Sequence, residues 1–328
     1  MNNRRKLLVP DVMGHTGVDH LRARQDIDLV IYPADIATAP FRTLLADADG
    51  VALWATPFRK ADLDSAPRLA VVGRLGVGYD AVEVPALTAR GVLLMVSGTA
   101  NSVSVAEYAL FLVLALAKRG RRQDELVRLG RWDARYDDMP VEIAGKTIVV
   151  IGFGRIGARM AKRCAAMDMT VLVHDAFVAA EAIRAAGYEP APDLDAAVAR
   201  ADFVTIHCPR SPETIGMFDA ARIGRMKPGA SIVNTARGGI IDEPALLAAL
   251  QSGHLAGAGL DVFAEEPTPR SNPLLQVPTV ITAPHVAGST RESTQAMALE
   301  TARNMLSVID GAPIAENVIN KDVLAARN

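Results

Sequence analysis

Short, uninterrupted apolar runs recur along the chain, separated by stretches with helical or polar spacing. Before residue 100 they lie at 7–9, 29–32, 51–54, 69–72 and 92–95. Runs that do not alternate are what parallel strands require when both of their faces are covered. The rhythm resumes later, predicting strands at 147–151, 170–174, 203–207, 231–235, 256–261 and 280–282. Helices are expected between them around 195–200, 218–226 and 243–251. Two longer helices stand out. One, over 103–121, is apolar through its centre and basic at its end, where cations suit the helix dipole. Its apolar character predicts burial, between domains or in a subunit interface. The polar segment 122–140 then bridges to the second group of strands. The other long helix, over 290–309, leads to a tail too short for a domain, which is expected to return to the first group and make that unit discontinuous.

The run at 147–151 carries the sharpest local signal. Gly152, Gly154 and Gly157 follow it at GxGxxG spacing, and a helical pattern opens behind them with Ile156, Met160, Cys164 and Met167 on one face. For a bound dinucleotide, Gly152 permits the tight turn, Gly154 lets backbone approach the pyrophosphate, and Gly157 lets helix pack closely on sheet. The pyrophosphate sits on the free N–H groups at the helix start. Asp175 ends the next strand 18 residues after Gly157, where an acid would hold ribose hydroxyls. It could alternatively cap the turn that follows it. A second glycine-rich stretch, Gly73 to Gly78, follows the fourth strand, and on its own it reads as a plain turn or as backbone N–H groups offered to an anion. No GxGxxG accompanies the first strand.

Composition narrows the class. The 328 residues are 50% hydrophobic and 22% charged, which allows two globular domains with substantial cores. A net charge of −2 offers nothing to a nucleic acid. Cys164 and Cys208 are too few and too far apart for a disulfide framework or a zinc site, so no metal is expected. No run reaches membrane-spanning length and the N-terminal apolar run is too short for a signal peptide. A soluble, cytoplasmic protein is expected.

Three charged residues fall beyond strand ends, where open α/β sheets bind ligands. Arg237 follows the strand at 231–235 in NTARGG, Glu266 follows 256–261 in DVFAEEP, and His285 follows 280–282 in APHVAG. Each alone has a dull explanation, but together they converge on one sheet edge beside the pyrophosphate site.

With those residues in view, the chain resembles the D-2-hydroxyacid dehydrogenase family over nearly its whole length. The resemblance rests on VGRLGVGYD (72–80), NSVSVAE (101–107), GFGRIG (152–157), HCP (207–209), NTARGGIID (234–242), LDVFAEEP (260–267) and Pro284-His285. It implies a Rossmann-type, doubly wound NAD-binding domain over 102–289 and a discontinuous, flavodoxin-like α/β substrate domain from 1–101 and 290–328, with a cleft between them. The resemblance leads one to expect the short form, without a regulatory domain, similar to glyoxylate and hydroxypyruvate reductases. Carried onto matching positions, Arg237 would grip the substrate carboxylate and 2-oxo oxygen, His285 would be the general acid, and Glu266, directly before the proline, would orient it. Leu75, Gly76 and Val77 would complete the carboxylate site, which selects the anion-binding reading of that stretch over the plain turn. Asp261 would meet the nicotinamide carboxamide. Cys208, Pro209, Thr214, Thr235, Ala236 and Gly288 would line the cofactor cleft with Arg155 and Ile156. The implied partners are NAD and a small 2-oxo or 2-hydroxy acid, with a homodimer as the assembly and neither nucleic acid nor membrane.

Departures from the family pattern matter too. The usual Asn-Thr-Pro is Val96-Ser97-Gly98 here, implying a looser hinge. No arginine follows Asp175, which favours NAD over NADP, although Arg210 is a loop cation that could accept a 2′-phosphate. Where phosphoglycerate dehydrogenases carry a phosphate-holding arginine, this chain has Trp54, which predicts a small or apolar substrate side chain unless Trp54 is simply core. The alternatives are a phosphoglycerate dehydrogenase-like activity and a non-catalytic NAD-sensing binding protein of the same fold.

Overall fold

The computed structural model describes residues 4–326. The chain divides into two compact units, one built from the chain up to Asn101 and from Ser289 onward, the other from Ser102–Gly288.

In the first unit, strands β1 (Arg5–Pro10), β2 (Ile27–Tyr32), β3 (Gly50–Leu53), β4 (Val71–Arg74) and β5 (Leu93–Val96) form a parallel sheet in the order β2-β1-β3-β4-β5. Period-two side chains explain the unbroken apolar runs, since successive residues enter opposite cores. Leu7, Val9, Val71 and Met95 meet one set of helices, while Leu8, Val72 and Leu94 pack with Phe41, Leu45 and Phe58 on the other face. The first core is shared with the His15–Arg22 and Arg291–Ile309 helices through Val18, Leu21, Ala298, Ala302 and Met305. Those two helices pack closely at Gly17, where a Cβ would fall 2.4 Å from the Ala298 carbonyl oxygen. The C-terminal tail covers the open edge of β5. The Asn320 side chain accepts from Leu94 N–H (2.9 Å) and donates to the Val92 carbonyl (2.8 Å).

The second unit holds β6 (Thr147–Ile151), β7 (Thr170–His174), β8 (Glu189–Pro190), β9 (Phe203–Ile206), β10 (Ala230–Asn234), β11 (Leu255–Leu260) and β12 (Val280–Thr282). They run parallel in the order β12-β11-β10-β9-β6-β7-β8. The order reverses at β6, the position at which doubly wound sheets bind ligands. Six strands were predicted here. The seventh, β8, is two residues long and ends in proline, which an edge position tolerates.

The expected helix over 103–121 is in fact two. Ser102–Ala117 ends, Arg119 takes a left-handed φ of 52°, and Gly120–Arg128 starts a new helix. Arg119 is held in that turn by donating to the Ala256 carbonyl (3.1 Å) and pairing with Asp138 (3.2 Å). The apolarity of the first helix is used within its own unit, because Ala106, Ala109, Leu112, Val113 and Leu116 are core residues. Gly257 and Gly259 on β11 let it approach, since a Cβ on either would press on Leu116 or Leu112. In the helix after the glycine motif, Arg155–Ala165, Met160 and Cys164 are buried as expected, and Met167 lies past its end. No helix among the described residues is long and apolar enough to cross a membrane.

Candidate active site

The turn out of β6 is built by its glycines. Gly152 has φ 89°, and a Cβ there would sit 2.9 Å from the His207 carbonyl. Gly157 packs so tightly that a Cβ would lie 1.8 Å from the Gly152 carbonyl oxygen, whereas one on Gly154 would meet nothing within 4 Å. The loop is therefore closed below and open above at Gly154, immediately before the N–H groups of Arg155 and Ile156 that begin the helix. That cradle fits a pyrophosphate.

Asp175, just past β7, accepts from Phe153 N–H (2.7 Å) with one oxygen and from Phe177 and Val178 N–H (2.8 and 2.9 Å) with the other. It thus caps the turn that follows it and also ties β7 to the glycine loop. Burial works against its charge, but the three N–H donors outweigh it and hold its pKa below the ordinary carboxylate range. A carboxylate has about four acceptor positions, so one is left for a ribose hydroxyl. Arg210 lies elsewhere. Its guanidinium covers Gly239 beyond β10, 3.5 Å from where a Cβ would stand, on the far side of β9 from β6 and β7. It is not the cation beside Asp175 that the sequence left open.

Beyond β9, the His207 Nε2 pairs with Thr205 Oγ1 (2.9 Å), and desolvation pushes the ring down to about 3, so it is neutral. Its Nδ1 and the Thr235 Oγ1 are buried polar atoms without a partner among the described residues. Two such orphans at adjacent strand ends suit a polar ligand. Burial pushes the Cys208 thiol up to about 11, leaving it a neutral lining group. The Thr214 hydroxyl shapes the loop itself, donating to the Pro209 carbonyl (2.7 Å) and accepting from Ser211 N–H (2.8 Å).

The loops after β10, β11 and β12 bring Arg237, Glu266 and His285 together. Asn234, missed by sequence reasoning, folds the first of them. Its side chain accepts from Ala236 N–H (3.0 Å) and donates to the Arg237 carbonyl (2.8 Å). Gly238 then lies directly on the next loop, where a Cβ would be 1.6 Å from the Phe263 carbonyl oxygen. The doubled glycine after Arg237 was the available signal. Glu266 accepts from Phe263 N–H (2.9 Å) through one oxygen and from His285 Nδ1 (2.7 Å) through the other. Glu265 makes neither bond. His285 has φ 54°, and Asp261 holds that left-handed turn. The Asp261 backbone carbonyl accepts from His285 N–H (2.8 Å), and its carboxylate accepts from Val286 and Ala287 N–H (2.8 and 2.9 Å). Burial raises the Asp261 pKa despite those donors.

The electrostatics follow the geometry. The hydrogen bond to Glu266 raises the His285 pKa above the ordinary range, with burial and the Arg237 charge opposing it. Burial opposes the Glu266 charge, but the bonds from His285 and Phe263, and the charges of His285 and Arg237, keep it ionised. With Nδ1 bound to Glu266, Nε2 is the ring nitrogen left to exchange a proton with a ligand.

Leu75, Gly76, Val77 and Trp54 lie in the other unit. The first three follow β4, with Leu75 and Gly76 buried and Gly76 at φ 126°. Trp54 follows β3, half-buried against the core that contains Ala298 and Met305.

Comparison with known proteins agrees with this architecture. Residues 110–287 match the family described as D-isomer specific 2-hydroxyacid dehydrogenase, NAD binding domain. Over 258 residues the chain is 40% identical to a D-3-phosphoglycerate dehydrogenase of Archaeoglobus fulgidus, covering 79% of this chain and 48% of that protein. It is 42% identical over 267 residues to one of Mycobacterium leprae, covering 80% and 50%. The chain spans about half the length of these relatives. A D-lactate dehydrogenase of Aquifex aeolicus, solved with NAD and lactic acid, superposes with a TM-score of 0.85 at 27% identity, covering 96% of this chain and 99% of that one.

Proposed function

The chain belongs to the D-isomer specific 2-hydroxyacid dehydrogenase family, and from that premise we propose that it moves a hydride between NAD(H) and a small 2-oxo acid or its D-2-hydroxy acid. The observation that carries this reading is the convergence of Arg237, Glu266 and His285, with His285 Nδ1 2.7 Å from Glu266. Gly152, Gly154, Arg155, Ile156 and Gly157 hold the cofactor pyrophosphate, Asp175 the ribose, and Cys208, Pro209, Thr214, Thr235, Ala236, Asp261 and Gly288 line its nicotinamide end. When bound at this site, NADH would supply the hydride needed to reduce the 2-oxo carbon. Arg237 grips the carboxylate and the 2-oxo oxygen through its planar fork. His285 gives that oxygen a proton from Nε2 as the C=O bond becomes C–O–H, and takes it back in the reverse direction. Glu266 keeps the ring oriented and charged before transfer. In the first unit, the loop over 75–78 takes the substrate carboxylate on backbone N–H groups. Asp175, anionic and without a neighbouring arginine, favours NAD over NADP.

Trp54 packs only partly on the core of its unit and offers no cation, which supports a substrate with a small or apolar side chain, such as glyoxylate, hydroxypyruvate or pyruvate. A second reading, phosphoglycerate dehydrogenase-like activity, is favoured by the names of the relatives at 40% and 42% identity. A panel of 2-oxo acids with NADH tests both. Losing a charge-assisted phosphate contact is worth roughly one to two orders of magnitude, so hydroxypyruvate should outperform phosphohydroxypyruvate. A higher kcat/KM for the phosphorylated compound would favour the second reading, and no turnover of any 2-oxo acid would reject the enzyme.

A homodimer is part of the proposal. Val127, Leu129, Trp132 and Tyr136 are each more than 60% exposed on the Gly120–Arg128 helix and the turn beyond it, a patch suited to a second copy. Beside them Arg122 Nε and Gln123 Nε2 are buried donors without an acceptor among the described residues. Light scattering should give twice the chain mass, and a monomer at micromolar concentration would refute the pairing.

A further inference from the structure

Ser97, one residue past β5, takes no part in the chemistry above, yet the loop after β4 is built around it. It is fully buried. Its backbone N–H donates to the Gly76 carbonyl (2.9 Å), and its Oγ accepts from Gly76 N–H (3.2 Å). The same oxygen lies 2.8 Å from the Arg74 carbonyl, 2.8 Å from Thr301 Oγ1 and 3.2 Å from the Met297 carbonyl, and Thr301 Oγ1 in turn reaches the Arg74 carbonyl (3.0 Å). A hydroxyl has one proton and two lone pairs, so Ser97 can serve Arg74, Gly76 and Thr301 at once. The far end of the loop is held differently. The Arg74 guanidinium donates to the carbonyls of Gly78 (2.7 Å) and Leu53 (3.0 Å). Between these anchors Gly76 is held at φ 126°, and the N–H groups of Val77 and Gly78 have no partner among the described residues. Consecutive free N–H groups make an anion-binding concavity.

We propose that Ser97 is the positioning residue of this loop, locking Gly76 so that the Val77 and Gly78 N–H groups receive the carboxylate of the 2-oxo acid. The proposal rests on the functional reading above, in which the loop over 75–78 takes that carboxylate. Removing the Ser97 oxygen strands the Gly76 N–H in a buried place. The cheapest relief is rotation of the loop, which disperses the two free donors.

The test compares the purified wild-type chain with Ser97→Ala, Ser97→Thr and Thr301→Val. The readouts are kcat and KM for the best 2-oxo acid of the panel, NADH affinity by fluorescence, and Tm. Ser97→Ala should raise the 2-oxo acid KM roughly ten-fold, the scale of one hydrogen bond to a charged group, while NADH affinity stays within about two-fold. Ser97→Thr, which keeps the hydroxyl, should restore KM. Thr301→Val removes one of the hydroxyls that meet Ser97 and should raise KM by about three-fold, which keeps the question open to measurement should Ser97→Ala fail to fold. An unchanged KM in Ser97→Ala, or in Thr301→Val where Ser97→Ala is unfolded, overturns the proposal. So does a loss falling equally on NADH affinity and on KM. Absence of turnover in the wild type rejects the functional reading itself and this inference with it, whereas turnover with an unmoved KM rejects the inference alone.

Discussion

Two glycine loops, one in each unit, leave parallel strands with similar local sequence and reach their shapes by different means. The loop after β6 shapes itself. Gly157 touches Gly152, Gly154 stays open, and the helix that supplies its N–H groups follows at once. The loop after β4 is shaped from elsewhere, by Ser97 more than 20 residues on and by Thr301 on a helix that arrives from the other end of the chain. A loop whose contacts are local announces its ligand in a short motif. A loop whose contacts are distant reads, on its own residues, either as a turn or as an anion site.

Breaking each loop at its own glycine separates the two most sharply. Gly157→Ala forces a Cβ within 1.8 Å of backbone oxygen, which no side-chain adjustment can relieve. NADH binding, followed by fluorescence, should drop below detection, and near-normal affinity would contradict the cradle. In Gly76→Ala the new Cβ meets only Met297 Sδ, at an ordinary 3.9 Å, but the residue must adopt φ 126°. That strain should raise the 2-oxo acid KM by roughly ten-fold with NADH affinity intact. An equal loss in both would show that the two loops do not have separate ligands.

Smaller changes sharpen the same contrast. Glu266→Gln removes the main cause of the raised His285 pKa. Reduction needs the protonated ring, so its rate should fall as pH rises through that pKa, and the fall should move to lower pH in the variant. A profile that stays put would separate Glu266 from the proton transfer. At Asp175 the expected change is one of cofactor preference rather than of catalysis. Asp175→Ser removes the charge that repels a 2′-phosphate and should improve NADPH relative to NADH by about ten-fold, read as the ratio of kcat/KM values. The wild type should prefer NADH, and an equal or higher kcat/KM with NADPH would remove the argument.

How legible each feature was depended on how local its cause is. The strands were visible because their residues are buried on both faces, and β8 was not, because Glu189 and Pro190 at an edge have no pattern to show. The helix break at Arg119 depends on bonds to Ala256 and Asp138, both far away in sequence, with Gly120 the one local hint. Arg237, Glu266 and His285 were nameable from their places beyond strand ends. Asn234 and Gly238, which bring Arg237 to the other two, act through backbone contacts that only the folded loops reveal. The sequence allows Asp175 to be either a turn cap or a ribose partner, and its geometry leaves it able to be both.

In the proposed reaction His285, held by Glu266, moves the proton while the glycine loop after β6 separately holds the cofactor. The most direct measurement is reduction of the best 2-oxo acid by His285→Ala, alongside its NADH affinity. The expected result is a fall in kcat/KM of about 10²–10⁴-fold, the range for a lost general acid, with NADH binding unchanged. Retained turnover, or a loss traced to NADH affinity, would contradict it.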